Sequence, residues 1–257
     1  MINLKKLKRK LYKLYPLAIA KKNHDFVGVM VSQNHLDIKK ILICLDLDES
    51  ILDKIDEFNP DLIITHHPFL YGPSKVNILR NDEHKMNIYN YLKSKDIGVI
   101  SLHTNYDEAS NGMNDVLASK LNLNNIEIPL FNPMMRIGTL SKPLEINEFA
   151  QYAKEKLNVK YALLIKGNDN MISRVGIIGG GGSRSYKVAM LNDCDIYISG
   201  DAPHYLRRDV INDKFNYLDV PHEVERVFIY HMESILKSID NDLEILCIDH
   251  EIEPDVI

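Results

Sequence analysis

The sequence predicts an α/β fold with at least partly parallel sheets. Short runs rich in Val and Ile alternate with helical patterns along most of the chain. Two of the apolar runs end directly in histidine, and in open α/β sheets ligand-binding groups gather beyond the carboxyl ends of strands. With 45 % hydrophobic and 26 % charged residues over 257 positions, the chain has the make-up of an ordinary globular protein.

The first element is a helix, in which Leu4, Leu7, Leu11 and Leu14 recur at helical spacing with lysines behind them. Segments 26–31 and 40–45 read as strands. Segment 48–58 starts acidic and spreads Ile51, Leu52, Ile55 and Phe58 helically. A buried strand over 61–65, a helix over 83–94, a strand over 98–102 and a short helix over 111–121 follow. Pro129, Pro133 and Pro143 then break the pattern, making this stretch the best candidate for a domain boundary. Beyond it lie a strand near 135–140, a helix over 146–156, and strands over 161–165 and 174–178. Helix 186–191, strand 195–199, helices around 204–211 and 223–237, and strand 243–247 complete the chain. No internal repeat is present, and the only low-complexity tract is the glycine run 179–182.

Composition excludes several classes. The chain is neither disordered, collagen-like nor disulfide-dense. No apolar run reaches the roughly 18–20 residues of a membrane-spanning helix, and the basic N-terminus lacks the apolar core of a secretory signal. Cys44, Cys194 and Cys247 are widely separated and form no CxxC pattern, which fits a reducing cytosol. Residues 1–22 carry only basic charge and 240–257 only acidic charge. A net charge of −5 argues against a dedicated nucleic-acid binder, although the basic first helix keeps such a contact open.

Ten histidines are the feature to explain. DLIITHHP (61–68) runs a hydrophobic strand into His66 and His67 and stops it with Pro68. Neutral imidazole suits zinc, iron and similar metals; the alternative is a pair of loop-capping histidines. GVISLHTNYD (98–107) ends likewise in His103 and Asp107, and a carboxylate can bridge two ions as imidazole cannot. Asp107 also has a plain reading as a turn or cap residue. In LDVPHEVER (218–226), His222 and Glu225 fall at i and i+3 on one face of an expected helix. Between these motifs, VGIIGGGGS (175–183) leads a strand into glycines whose amides can cradle phosphate, with Gly180, Gly181, Gly182 and Ser183 as candidates; a tight strand–helix turn is the alternative. Asp201 and His204, beyond the next strand, are candidates for orienting ligands. His24, His35, His84, His231 and His250 carry no chemical argument.

Taken in order, THHP, HTNYD, GGGGS, ISGD followed by His204, and DVPHEVER resemble the GTP cyclohydrolase 1 type 2 family, the Nif-three-like dinuclear-metal proteins. Tyr15-Pro16 with Ala18, the Asp25–Gly28 stretch and the Asn111–Asp115 stretch also have counterparts, so the resemblance spans nearly the whole chain. It implies two divalent ions per subunit (zinc, iron, manganese, cobalt or nickel) on His66, His67, Asp107 and His222. The family's fifth ligand is a glutamate four residues after the last histidine. Here that position is Arg226, and a one-residue deletion nominates Glu225. Pro221 also stands where the family commonly has glycine.

The resemblance further implies two interlinked α/β domains with mixed sheets. In that expectation 1–129 and 173–257 form a discontinuous metal-binding domain, and 130–172 is the inserted part of the second. It implies a toroidal homohexamer, a trimer of dimers; cysteine usage and the lack of a long apolar run separately point to the cytoplasm and to no membrane partner. The expected activity is hydrolysis of a nucleotide-like or phosphate-bearing small molecule: two ions lower the pKa of a shared water toward neutrality, and the resulting hydroxide attacks. His103 and His204 are the candidates for moving protons. The alternative is a non-catalytic hexamer that holds metal, senses a ligand or serves as an adaptor.

Overall fold

The computed structural model describes all residues, 1–257. Its elements run β1 (Ile2–Asn3), α1 (Leu4–Leu14), α2 (Leu17–Lys22), β2 (Gly28–Val31), β3 (Asp37–Ile38), β4 (Lys40–Cys44), α3 (Leu52–Phe58), β5 (Leu62–Thr65), α4 (Lys75–Asn81), α5 (Glu83–Ser94), β6 (Gly98–Ser101) and α6 (Thr104–Glu108). They continue with α7 (Met113–Lys120), β7 (Asn124–Glu127), β8 (Arg136–Leu144), α8 (Ile146–Leu157), β9 (Leu163–Ile165), β10 (Ile172–Ile177), α9 (Tyr186–Leu191), β11 (Ile196–Ser199), α10 (His204–Asn212) and β12 (Asn216–Asp219). A 3₁₀ turn (His222–Arg226), α11 (Val227–Ile239) and β13 (Glu244–Cys247) close the chain.

Two compact units result: Met1–Ala109 with Phe228–Glu251, and Ser110–Val227 with Ile252–Ile257. These divisions differ from the expected segment 130–172. The prolines that suggested a boundary lie within the second unit, Pro129 and Pro133 in the connection between β7 and β8 and Pro143 near the end of β8. No composition change marks the step at Ala109.

The first unit is built on a five-stranded sheet in the order β13-β4-β5-β6-β2. β13, β4, β5 and β6 are parallel, and β2 pairs antiparallel to β6. The central strands are buried except at Lys40, as expected of a parallel sheet covered on both faces. Leu7 and Leu11 of α1 are fully buried while its lysines stay outside, and Asn3 caps the helix by accepting from the Lys5 amide at 3.1 Å. Leu42, Ile63, Val99, Ile55 and Leu92 form part of the core between sheet and helices. Each such side chain contributes about 1.5–3 kcal/mol by leaving water.

The second unit carries a six-stranded mixed sheet in the order β7-β8-β10-β11-β12-β9. Its centre, β10, β11 and β12, is parallel, with β8 and β9 antiparallel on either side. Ala189, Tyr197, Leu206, Val210 and Tyr217 are part of the core that α9 and α10 form with it. No helix is long and apolar enough to cross a membrane.

Candidate metal-binding groups

In the first unit, the carboxyl ends of three adjacent parallel strands supply the chemistry. β4 is followed by Asp46, β5 by His66 and His67, and β6 by His103. Thr65 and Ser101 are register partners, so the residues after them emerge side by side. Their hydroxyls lie 2.7 Å apart and fasten the two strand ends together. The turn is tied further by amides of His66 and His67 that donate to Leu45 O at 3.2 and 3.0 Å. β2 runs the other way beside β6, which brings Asp25, just before it, to the same end.

Each histidine is held from behind at Nδ1. His66 Nδ1 donates to Leu102 O at 2.8 Å, His67 Nδ1 to Asp46 Oδ2 at 2.7 Å, and His103 Nδ1 to Asp25 Oδ2 at 2.8 Å. A proton on Nδ1 leaves the neutral ring's lone pair on Nε2, as in carboxylate–histidine–metal triads. His66, His67 and His103 each offer a ligand atom within 4.8 Å of the other two. Donors sharing one ion at roughly 2.1 Å stand roughly 3.4 Å apart, so modest ring movements bring these three to a common ion. Asp107 lies one turn into α6, its amide on His103 O at 3.0 Å, and its Oδ1 is 3.5 Å from His66 Nε2.

Charge follows the same pattern. Partial burial pushes the Asp46 carboxyl up, but the hydrogen bond and charge of His67 outweigh it, and the net shift is downward. Asp25 behaves alike: burial raises it, and His103 and Thr104 pull it well below the usual carboxylate range. Both stay ionised, as the role of anchoring an imidazole requires.

The second unit repeats this logic on β10, β11 and β12. The glycine run follows β10, Asp201 follows β11, and His222 follows β12. His222 Nδ1 donates to Asp201 Oδ2 at 2.7 Å, and its Nε2 is 3.2 Å from Glu225 Oε2. The Glu225 hydrogen bond, working against partial burial and aided by the charges of Glu225 and Asp201, lifts His222 to about 9. The expected helix over 223–237 is divided: His222–Arg226 is 3₁₀, and α11 starts at Val227. With three residues per turn, positions i and i+3 eclipse. That stacks Glu225 over His222 and turns Arg226 away to Glu253 Oε1, 2.9 Å distant.

Glycine is required beside this pair. A Cβ on Gly180 (φ +58) would lie 2.1 Å from Glu225 Oε1 and 3.1 Å from His222 Nε2. The Gly182 amide closes onto Gly180 O at 3.0 Å, and Ser183 Oγ donates to Asp201 O at 3.2 Å. The amides of Gly180 and Gly181 find no acceptor in the chain. His204, at the start of α10, is exposed and its side chain makes no hydrogen bond.

The structure thus brings His66, His67, His103 and Asp107 together in one unit, and His222, Glu225 and the glycine run in the other. Sequence reasoning missed Asp25 and Asp46, although each is a carboxylate adjoining a strand of the sheet that carries the histidines. It also gave His231 no role, whereas His231 Nδ1 is hydrogen-bonded to the buried Tyr106 hydroxyl at 2.7 Å. The donor types, imidazole nitrogen and carboxylate oxygen, suit divalent first-row metals.

Fold and side chains together define a mixed α/β protein with clusters of potential metal ligands at strand ends. The chain belongs to the Duf34/NIF3 (NGG1p interacting factor 3) family, whose model matches residues 2–254. It is 31 % identical over 229 residues to a GTP cyclohydrolase 1 type 2 homolog of Methanocaldococcus jannaschii, covering 88 % of this chain and 91 % of that one. A homolog of the same name from Clostridium perfringens is 29 % identical over 234 residues, 88 % of each chain. Among solved structures, a Bacillus cereus protein related to NIF3 shares the fold with a TM-score of 0.87 at 18 % identity, covering 100 % of this chain and 99 % of that one. Reduced HcgD from M. jannaschii is similar with a TM-score of 0.79 at 27 % identity, covering 95 % and 97 %.

Proposed function

We propose that the protein is a metal-dependent hydrolase that holds two divalent ions on His66, His67, Asp107, His222 and Glu225. The observation that carries this reading is the common anchoring of the histidines. His66, His67 and His222 each give Nδ1 to an oxygen acceptor, which presents Nε2 as the ligating atom. When bound, a pair of divalent ions supplies Lewis acidity and lowers the pKa of a water toward neutrality.

The chain's own residues supply the remainder. Asp46, Asp25 and Asp201 fix ring orientation and tautomer. His103, backed by Asp25, is the first candidate to carry a proton, and His204 is the second. The unengaged amides of Gly180 and Gly181, with Gly182 and Ser183 shaping the loop, are donors for a phosphate oxygen of a nucleotide-like or phosphate-bearing substrate. The names of the similar proteins support hydrolysis of a nucleotide. A homohexamer, arranged as a trimer of dimers, belongs to the same proposal. Ile126, Ile128, Leu130 and Phe131, between 42 % and 87 % exposed, offer an apolar strip for self-association. Three free cysteines suit a cytoplasmic location.

Elemental analysis of the native protein beside Glu225→Ala tests the reading. Two ions per chain are expected in the first and one or none in the second. Hydrolysis across a panel of nucleotides and phosphate esters should vanish in His67→Ala and Asp107→Ala. Absence of metal from the native protein overturns the proposal. Full activity after metal removal overturns its catalytic part, and bound metal without hydrolysis leaves the holding or sensing role.

A further inference from the structure

Tyr71 stands three residues past Pro68, on the loop that leaves the histidine pair. Its side chain is 56 % exposed, yet it is held in place. The Phe26 ring meets it edge-on with centroids 5.6 Å apart at 89°, and the His103 ring does so at 6.5 Å and 89°. Gly72 follows at φ +143, a conformation that side-chain-bearing residues rarely adopt, so the chain turns sharply behind the ring. An aromatic ring that is exposed but already ordered binds at little further entropic cost.

Beside it lies a cavity of about 480 Å³ whose lining includes Phe26, Leu70 and Gly72, with the cations Lys21 and Lys75. The Lys75 ammonium is steadied by the carbonyls of Val29 and Met30. The one carboxylate in the lining, Asp25, is already engaged by His103 Nδ1 and by the Thr104 amide and hydroxyl. The charge left to a ligand here is positive.

We propose that Tyr71 is the platform on which a planar heteroaromatic ring of the substrate stacks, with Lys21 and Lys75 in the adjoining cavity taking a second anionic group of the substrate, besides the phosphate given to the glycine amides. This rests on the hydrolase reading, since His103 links the platform to the imidazole cluster. A stacked ring is recognised by its π-face and not by its edge, so the site selects planar anionic substrates over aliphatic phosphate esters.

The test titrates the metal-loaded protein with 2-aminopurine riboside 5′-triphosphate, whose fluorescence is quenched by stacking; the chain contains no tryptophan to interfere. Saturable quenching is expected. Tyr71→Leu should weaken binding about tenfold and abolish the quench, in line with the cost of removing one aromatic beneath a base. Tyr71→Phe should restore both. Lys21→Glu should weaken binding while the bound probe stays quenched. Equal binding and quenching by Tyr71→Leu, or no binding by the native protein up to millimolar probe, overturns the inference. Metal content measured on each sample separates the failures: native protein without metal sinks the hydrolase reading, and metal-replete protein that ignores Tyr71 sinks this inference alone.

Discussion

Gly180→Ala is the most diagnostic single change. A Cβ at this position would sit 2.1 Å from Glu225 Oε1, and the residue's φ of +58 is left-handed. The backbone term alone is about 1–2 kcal/mol for a residue with a Cβ. Glu225 must also withdraw, and it has little freedom: it is 4 % exposed, with Oε2 3.2 Å from His222 Nε2. For a chain of this length each kcal/mol lowers Tm by about 2–4 °C, so a fall of roughly 2–8 °C is expected in the metal-free protein. Metal affinity should drop by about 10–100-fold or more, the loss typical when a ligand's surroundings are disturbed. Gly181→Ala is the control. Its Cβ would meet only Asp201 Oδ2 at 3.2 Å and His222 Cε1 at 3.9 Å, with no positive φ, and its cost should stay under about 1 kcal/mol. Thermal melts and calorimetric metal titrations of both variants provide the comparison. Identical melting and metal affinity for Gly180→Ala and the native protein would refute the steric argument.

Other perturbations address separate links. Asp46→Asn removes the anionic acceptor 2.7 Å from His67 Nδ1 and should weaken metal binding by about 10–100-fold with little loss of fold, measured by competitive chelator titration. His222, lifted from 6.5 to about 9, makes the metal-free protein pH-dependent. A folded-state pKa above the unfolded value gives stability that is complete below about 6.5 and lost as pH rises through 9. Tm measured over that window should fall in the native protein and stay flatter in His222→Gln. Phe228→Ala removes a fully buried ring packed 5.1 Å from His66 and 5.0 Å from Tyr106, and should cost about 3–5 kcal/mol in denaturant unfolding. Leu130→Glu with Phe131→Glu should shift the protein to smaller species in sedimentation if that exposed strip supports self-association.

Legibility in the sequence followed burial. β4, β5, β6 and β11 are nearly continuous apolar runs, and their expected limits differ from the observed ones by a residue or so. β12 escaped notice because Asn216-Tyr-Leu-Asp219 ends in polar residues, although all four are buried. Asn216 spends its amide on Asn168 Oδ1 and Asp195 O, a use that no local pattern reveals. β7 was invisible for the opposite reason: all four residues are exposed, and only pairing with β8 makes Asn124–Glu127 a strand. Among the candidate site residues, His66, His67 and His103 announced themselves by following strand ends, and Asp107 by lying one helical turn beyond His103. Asp25 and Asp46 did not, since their meaning lies in which strand neighbours which, and sheet order is a property of the folded chain.

The 3₁₀ turn gives a physical account of this chain's departure in the LDVPHEVER segment. On an α-helix, residues three and four after His222 both lie within reach of it, so either position can serve. On a 3₁₀ turn only the third eclipses it. Here the eclipsing residue is Glu225, and the fourth, Arg226, is engaged elsewhere, with Glu253 Oε1 and Glu223 O. Winding and residue identity agree here: a tight turn with glutamate at the third position delivers its carboxylate to the His222 imidazole. The consequence is specific. Exchanging the pair, with Glu225→Arg and Arg226→Glu, would place glutamate where the resemblance expects it, yet should abolish the 3.2 Å His222–Glu contact unless the turn rewinds into α11. Weaker metal binding by that double variant than by the native protein would show that the turn, and not the residue count, decides which carboxylate reaches His222; unchanged metal binding would show that the helix adapts to the ligand.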